Sequence, residues 1–316
     1  MMRVLVTGAT GLVGSALCET LAHAGYRVRA AVRSDRPLPQ WIDESVVVGD
    51  ISSATDWNVA LKDVDAVIHA AARVHVLRDS PASAQLYDET NARGTFRLAQ
   101  SAAQSGVQRF VYLSSIKVNG EATGDRPFSP LDEPRPCDDY GVSKWQAEMN
   151  LQYVAARSTL QVVRIRPPLV YGPGVRANVL RLMRLVDSGW PIPLKSVRNR
   201  RSLVSVWNLC DLIVHALRSC DPAGRLCMVS DGEDLSTADL IARVASAMGR
   251  PARLVPFPAV LMRAAGGLIG KSEEVTRLLG SLQVDISMTR AWGWTPIVSV
   301  DEGLQRTVRW YLDNQR

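Results

Sequence analysis

The chain has 316 residues, of which 47% are hydrophobic and 22% charged, with 22 glycines and 17 prolines. This balance excludes disordered, collagen-like and disulfide-stapled chains, and the length exceeds the ~250 residues at which single cores begin to divide, so two lobes are expected. The 37 basic and 31 acidic residues leave a net charge of +6, which favours anionic ligands without choosing among nucleic acid, headgroup and nucleotide. Aromatic residues make up only 6% and are scattered; a nucleic-acid-binding face needs them interleaved with its cations, so that class is set aside.

Cys18, Cys137, Cys210, Cys220 and Cys227 form no CxxC pair, and they read as buried, reduced thiols. His23, His69, His75 and His215 share no metal-ligand spacing, so no metal is expected. The sequence enters a strand at once, without the basic and apolar regions of a signal peptide, and no run approaches the ~18 apolar residues of a membrane span. A cytoplasmic protein without a membrane span is expected.

In chain order, an apolar run from Arg3 to Thr7 meets Gly8, and a helical pattern from Leu12 to Ala24 stops at Gly25. Strands at Arg27 to Val32 and Val46 to Val48, a helix from Ala54 to Leu61 and a strand from Asp65 to His69 follow. A helix from Ala84 to Gln104, a strand at Phe110 to Leu113, a helix from Tyr140 to Ala155 and a strand at Gln161 to Ile165 continue the alternation. Such alternation predicts a doubly wound parallel sheet covered on both faces. Beyond Arg166 the texture changes to a proline-punctuated, arginine-rich one, so residues 1–166 are expected to form the cofactor domain. Residues 167–316 are expected to form mainly a smaller α+β substrate lobe, with some segments returning to the first domain. Further elements are a strand near Arg225 to Val229 and helices near Thr237 to Met248 and Val300 to Leu312. The apolar stretch Val260 to Ile269, too short to span a bilayer, is expected to pack in the second lobe or a subunit contact, and Trp292 and Trp294 at the lobe interface.

Gly8, Gly11 and Gly14 stand between the first strand and helix. Gly8 permits the tight turn, Gly11 admits a pyrophosphate to the backbone, and Gly14 lets helix pack on strand, while the helix N-terminus offers free N–H groups. Thr10, Leu12 and Val13 belong to the same dinucleotide-binding turn. The second strand ends in Arg33 rather than in a carboxylate that would bond the ribose 2′-OH, which points to NADP(H), with NAD(H) the alternative. Asp50, Ile51, Ala70, Ala71 and Ala72 lie at strand ends facing the same crevice.

Tyr140 and Lys144 are one helical turn apart, with Asp138 or Asp139 placed to cap their helix. An ammonium beside the phenol is expected to lower its pKa and fit it for general acid–base work. Ser114 and Ser115 follow the Phe110 to Leu113 strand, at the edge where open α/β sheets bind ligands.

Together with Asn91-Ala92-Arg93-Gly94-Thr95, Arg166 to Gly174 and Arg201 to Val206, these motifs resemble the extended short-chain dehydrogenase/reductase superfamily, the NAD-dependent epimerase/dehydratase group, over nearly the whole chain. The resemblance implies that Ser115, Tyr140 and Lys144 form the catalytic triad, with Ser114, Tyr140, Lys144 and Pro167 also at the cofactor. It further implies that Ser115, Asn178, Arg176, Arg200 and Arg201 meet a UDP-sugar, and that the protein is a homodimer. The family's Val-Tyr-Gly is here Val118-Asn119-Gly120, and its Asn before Val170 is Leu169. A sugar dehydratase of this group carries Asp-Glu where this chain has Ile116-Lys117, so dehydration is disfavoured. The finer texture resembles bacterial UDP-4-keto-6-deoxy-N-acetylhexosamine 4-reductases and UDP-glucose 4-epimerase-like proteins of O-antigen synthesis. With Arg33, this makes NADPH-dependent reduction of a 4-keto sugar the expected reaction and 4-epimerisation with tightly held NAD the alternative. A non-catalytic redox-sensing dinucleotide binder is the remote third.

Overall fold

The computed structural model describes residues 1–74, 81–221, 224–268, 270 and 272–315; His75 lies outside them. The first half runs β1 (Arg3–Thr7), α1 (Leu12–His23), β2 (Arg27–Val32), β3 (Glu44–Val47), α2 (Asn58–Leu61), β4 (Ala66–His69), α3 (Pro81–Tyr87), α4 (Gly94–Gln104), β5 (Arg109–Leu113), α5 (Asp139–Ala155) and β6 (Gln161–Arg166). The second half runs β7 (Leu169–Tyr171), α6 (Ala177–Asp187), β8 (Arg201–Ser205), α7 (Val206–Arg218), β9 (Leu226–Met228), β10 (Asp234–Leu235), α8 (Thr237–Ala247), α9 (Ala259–Leu268), α10 (Ser272–Leu279), α11 (Ser287–Ala291) and α12 (Val300–Asp313).

Seven strands form one parallel sheet in the order β3-β2-β1-β4-β5-β6-β9. Val4, Val6 and Leu5 are fully buried on opposite faces, the continuous apolar run that a strand covered on both sides requires. One face packs on α1 and α7, the other on α4 and α5. The chain is therefore a Rossmann-type doubly wound α/β fold, and its order reverses between β1 and β4, which opens a crevice at their C-terminal ends.

A second, mixed sheet of β10-β8-β7 lies with α6, α8 and α12 around its own core of Met183, Ile241, Val244 and Leu304. Segments α7 and β9 leave this region for the large sheet. Trp294 is buried there, with Trp292 packed beside it, and its indole N–H donates to Asp211 at 2.8 Å. These tryptophans thus seal α7 to the large sheet. Of the cysteines, Cys18, Cys210 and Cys227 are buried, whereas Cys137 and Cys220 are exposed, contrary to the expected burial of all five.

The expected helix from Ala84 to Gln104 is three segments: α3, a π-helical turn over Asp88–Arg93, and α4. Gly94, which follows the wide turn, packs so closely that a Cβ there would stand 2.6 Å from Ile51 Cγ2. The helix expected from Ala54 shrinks to Asn58–Leu61. Within α9, Met262 faces the second core while Val260, Leu261 and Leu268 face solvent. No described helix is long and apolar enough to cross a membrane.

Candidate active site

The glycine turn closes tightly at the switch point. Gly8 has φ +71°, and a Cβ on it would stand 2.7 Å from the Ala71 backbone nitrogen, while one on Gly14 would collide with the Gly8 carbonyl. Gly11 is the N-cap of α1 with no side-chain cap. The first N–H groups of the helix, those of Leu12 and Val13, thus remain for an anionic ligand. The cradle fits a dinucleotide pyrophosphate. Gly174, at φ +84°, brings the loop after β7 to within 3.9 Å of Leu12 Cδ1, measured from the Cβ it would carry, so Arg176 and Asn178 enter α6 beside this turn.

Beneath the crevice lies a buried chain of hydrogen bonds. The Ala71 N–H donates to Thr7 Oγ1 at 3.2 Å, Thr7 Oγ1 and His69 Nδ1 are 2.6 Å apart, and His69 Nε2 and Thr95 Oγ1 are 2.9 Å apart. Thr95 donates its one proton to the Asn91 carbonyl at 2.6 Å. Thr95 must then accept from His69, which fixes the Nε2–H tautomer and leaves Nδ1 to accept from Thr7. Burial and the neighbouring Lys144 hold His69 down to about 3, so it stays neutral. The Asn91 amide continues the chain to Ser143 Oγ at 3.0 Å, and Ser143 donates to the Tyr140 carbonyl at 2.8 Å.

Asp138 caps α5 by accepting the Gly141 N–H at 2.7 Å, and its other oxygen pairs with Lys117. Lys117 thus helps to fix the N-terminus of α5, the helix that carries Tyr140 and Lys144. The Tyr140 phenol lies close enough to Ser115 to be lowered by its hydroxyl, and its ring meets Tyr87 edge-on at 6.0 Å. Burial raises the Tyr140 phenol well above its ordinary range, against the lowering effect of Ser115. Lys144 is 2% exposed and donates to the Leu113 carbonyl at 2.8 Å, with Nζ 4.6 Å from the Tyr112 ring centre and 6.0 Å from that of Tyr140. Burial lowers Lys144 to about 7, while Glu148 raises it. The expected acidification of Tyr140 by Lys144 is therefore absent here, because the same burial that raises the phenol lowers the amine.

Glu148, 1% exposed, sits one further turn along α5. It accepts from Ser114 Oγ at 2.5 Å and from Arg166 Nε and Nη2 at 2.8 and 2.6 Å, and Arg166 Nη1 donates to Asn119 Oδ1 at 2.9 Å. Ser114 has given its only proton to Glu148, which leaves Ser115 as the hydroxyl able to donate to a reacting oxygen. The Pro167 carbonyl accepts the Ile116 N–H at 3.0 Å, tying the end of β6 to the serine loop. Reading along the sequence missed Glu148, His69, Thr7 and Thr95 as site residues. The signal for Glu148 was a carboxylate continuing the Tyr140, Lys144 spacing on a face that also holds Leu151.

Arg33 Nε pairs with Asp50 Oδ1 at 2.7 Å, joining the ends of β2 and β3 on an open surface. Ile51 follows under Gly94, and Ala70 and Ala72 flank Ala71 on the β4 side, both half-buried. Thr10 is exposed at the mouth of the turn. Arg201 Nη1 donates to the carbonyls of Arg277 and Gly280 at 2.7 and 3.1 Å, while Arg200 is exposed. Among the described residues no cluster of His, Cys, Asp and Glu could hold a metal ion.

The model of the NAD dependent epimerase/dehydratase family matches residues 4–226. A UDP-glucose 4-epimerase of Vibrio cholerae is 45% identical, over 98% of this chain and 95% of the relative. An Escherichia coli O157:H7 protein, N-acetyl-alpha-D-glucosaminyl-diphospho-ditrans,octacis-undecaprenol 4-epimerase, is 27% identical over 98% and 95% of the two chains. Among solved structures, MoeE5 in complex with UDP-glucose and NAD is similar at a TM-score of 0.80 and 28% identity, covering 99% of this chain and all of the other.

Proposed function

The chain belongs to the NAD dependent epimerase/dehydratase family and is an enzyme of that family, and from that premise we propose that it is a UDP-sugar 4-epimerase working with tightly held NAD. The observation that carries the reading is the 45% identity to a UDP-glucose 4-epimerase along nearly the full length of both chains. It displaces the 4-ketoreductase expected from sequence texture, since the 4-reductase resemblance rested on loop motifs that such epimerases share. The preference for NADP(H) read from Arg33 likewise finds no support. The similar solved structure holds NAD, and Arg33 is engaged by Asp50, whose carboxylate would oppose a 2′-phosphate.

The glycine turn, the ends of β2 and β3 and Ala70 to Ala72 hold the dinucleotide, with Ser114, Lys144 and Pro167 at its nicotinamide end. When bound, NAD supplies a hydride acceptor and donor, and its cationic ring adds positive charge beside the phenol. Tyr140 takes the proton of the sugar's C4 hydroxyl and later returns it, and Ser115 donates a hydrogen bond to the same oxygen. Lys144 orients the ribose, and the positive charge of the bound ring, rather than Lys144 alone, is what would lower the phenol from the raised value burial gives it. Asn178, Arg176, Arg200 and Arg201 face the UDP diphosphate, with bidentate contacts within reach of each guanidinium; Arg201 first releases the carbonyls it holds. Residues 1–166 then serve the cofactor and 167–316 mainly the sugar nucleotide. The outward stripe Val142, Trp145, Met149 and Tyr153 on α5, 36 to 51% exposed, pairs two chains as a homodimer.

Tyr140→Phe should lower epimerase kcat at least ~100-fold, the usual contribution of a general acid–base, while NAD stays bound. A variant retaining more than half of wild-type turnover would remove Tyr140 from the chemistry.

A further inference from the structure

One corner of the second lobe is both apolar and cationic at its surface. The segment after α6 runs beside residues 253–255: the Ile192 N–H donates to the Arg253 carbonyl at 2.8 Å, the Val255 N–H to the Ile192 carbonyl at 2.9 Å, and the Arg253 guanidinium to the Gly189 carbonyl at 3.0 Å. Alternation along this pair buries Ile192 and turns Trp190 and Val255 outward, 72 and 39% exposed. Three residues on, α9 begins. Met262 anchors it on the core that includes Ile192 and Val186. Leu261 and Leu268, two turns apart on one face, are 53 and 89% exposed, and Val260 beside them is 72% exposed.

The charge around this surface is mostly positive, the acids being Asp187 and, at the start of the adjoining α10, Glu273 and Glu274. Residues 181–195 and 250–268 contain Arg181, Arg184, Lys195, Arg250, Arg253 and Arg263, and Asp187 is their sole acid. Asp187 is itself paired with Arg250 at 2.8 Å. Large apolar side chains on a short helix, interspersed with an excess of cations, suit a surface that is apolar below and anionic above. A second copy of this chain would bring the same cations against themselves.

We propose that α9 and the Trp190–Val255 edge form a peripheral docking surface for an anionic lipid bilayer. The outward residues Val260, Leu261 and Leu268 enter the headgroup boundary while Lys195 and Arg263 meet lipid phosphates. The surface holds none of the residues assigned to cofactor or sugar nucleotide, so the enzyme could work on the membrane without altering its chemistry.

The test is co-sedimentation of the full chain with vesicles of phosphatidylcholine alone and with a third of the lipid replaced by phosphatidylglycerol, at low and high salt. Binding is expected only to the anionic vesicles and is lost at high salt. Lys195→Gln with Arg263→Gln should weaken it about 30-fold, at ~1 kcal/mol per cation, and Leu261→Asp with Leu268→Asp should abolish it. Thermal melting certifies the fold of each variant whatever the enzyme's reaction proves to be, and sugar-nucleotide turnover in solution is measured separately. Failure to bind either vesicle, equal binding to both, or unaffected variants would overturn the proposal. So would self-association that Leu261→Asp abolishes in the absence of vesicle binding, which would make α9 a subunit contact.

Discussion

At the scale of single residues, the site depends on which groups are charged. Lys144 lies so deep that burial brings it to about 7, and Glu148 is the neighbour that raises it. Glu148→Gln keeps the shape but removes that support, so Lys144 should discharge at lower pH. Activity that needs the ammonium is present below the Lys144 pKa and lost as pH rises through it. The alkaline limb of kcat/KM against pH should therefore move to lower pH in the variant, and an unmoved limb would mean that Lys144 is not the titrating group. The same substitution leaves Arg166 buried without its counter-ion, a situation that costs about 3 to 5 kcal/mol, so the melting temperature should fall as well. The one-turn spacing of Tyr140 and Lys144 and the strand-end position of Ser115 were legible in the sequence because both are local. Glu148 and His69 were not, because their importance comes from Arg166, Ser114, Thr7 and Thr95, which only folding brings to them.

At the scale of elements, the strand–helix alternation of the first half was readable because each strand is a short apolar run and each helix has a buried stripe. The π-helical turn over Asp88–Arg93 was not, since it has no composition signal of its own. The residue that follows it, Gly94, lies against Ile51 and Ser52, in the loop after β3. Gly94→Ala should push that loop outward, costing about 1 to 3 kcal/mol as overpacking does, and weaken NAD binding together with thermal stability. Calorimetric titration and melting check both, and an unchanged NAD affinity would separate the turn from the cofactor site. α7 also escaped the reading. Its Asp211, His215 and Arg218 recur at helical spacing on the one partly exposed side of an otherwise buried helix, so the signal was present in the sequence but went unread.

At the scale of the whole molecule, the exposed stripe of α5 is continuous with the helix that carries Tyr140 and Lys144, so pairing through it would steady the catalytic face. Met149→Glu, placing like charges against one another across a two-fold contact, should shift the protein from dimer to monomer in sedimentation velocity. A variant sedimenting as wild type would move the subunit contact elsewhere. In 4-epimerisation the sugar leaves with the hydride it brought. The direct measurement is conversion of UDP-glucose deuterated at C4, without added nicotinamide cofactor, followed by NMR. UDP-galactose retaining deuterium at C4 is expected, with no net oxidation or reduction of cofactor. A protein that leaves this substrate unchanged but consumes NADPH stoichiometrically on a 4-keto sugar nucleotide would contradict it.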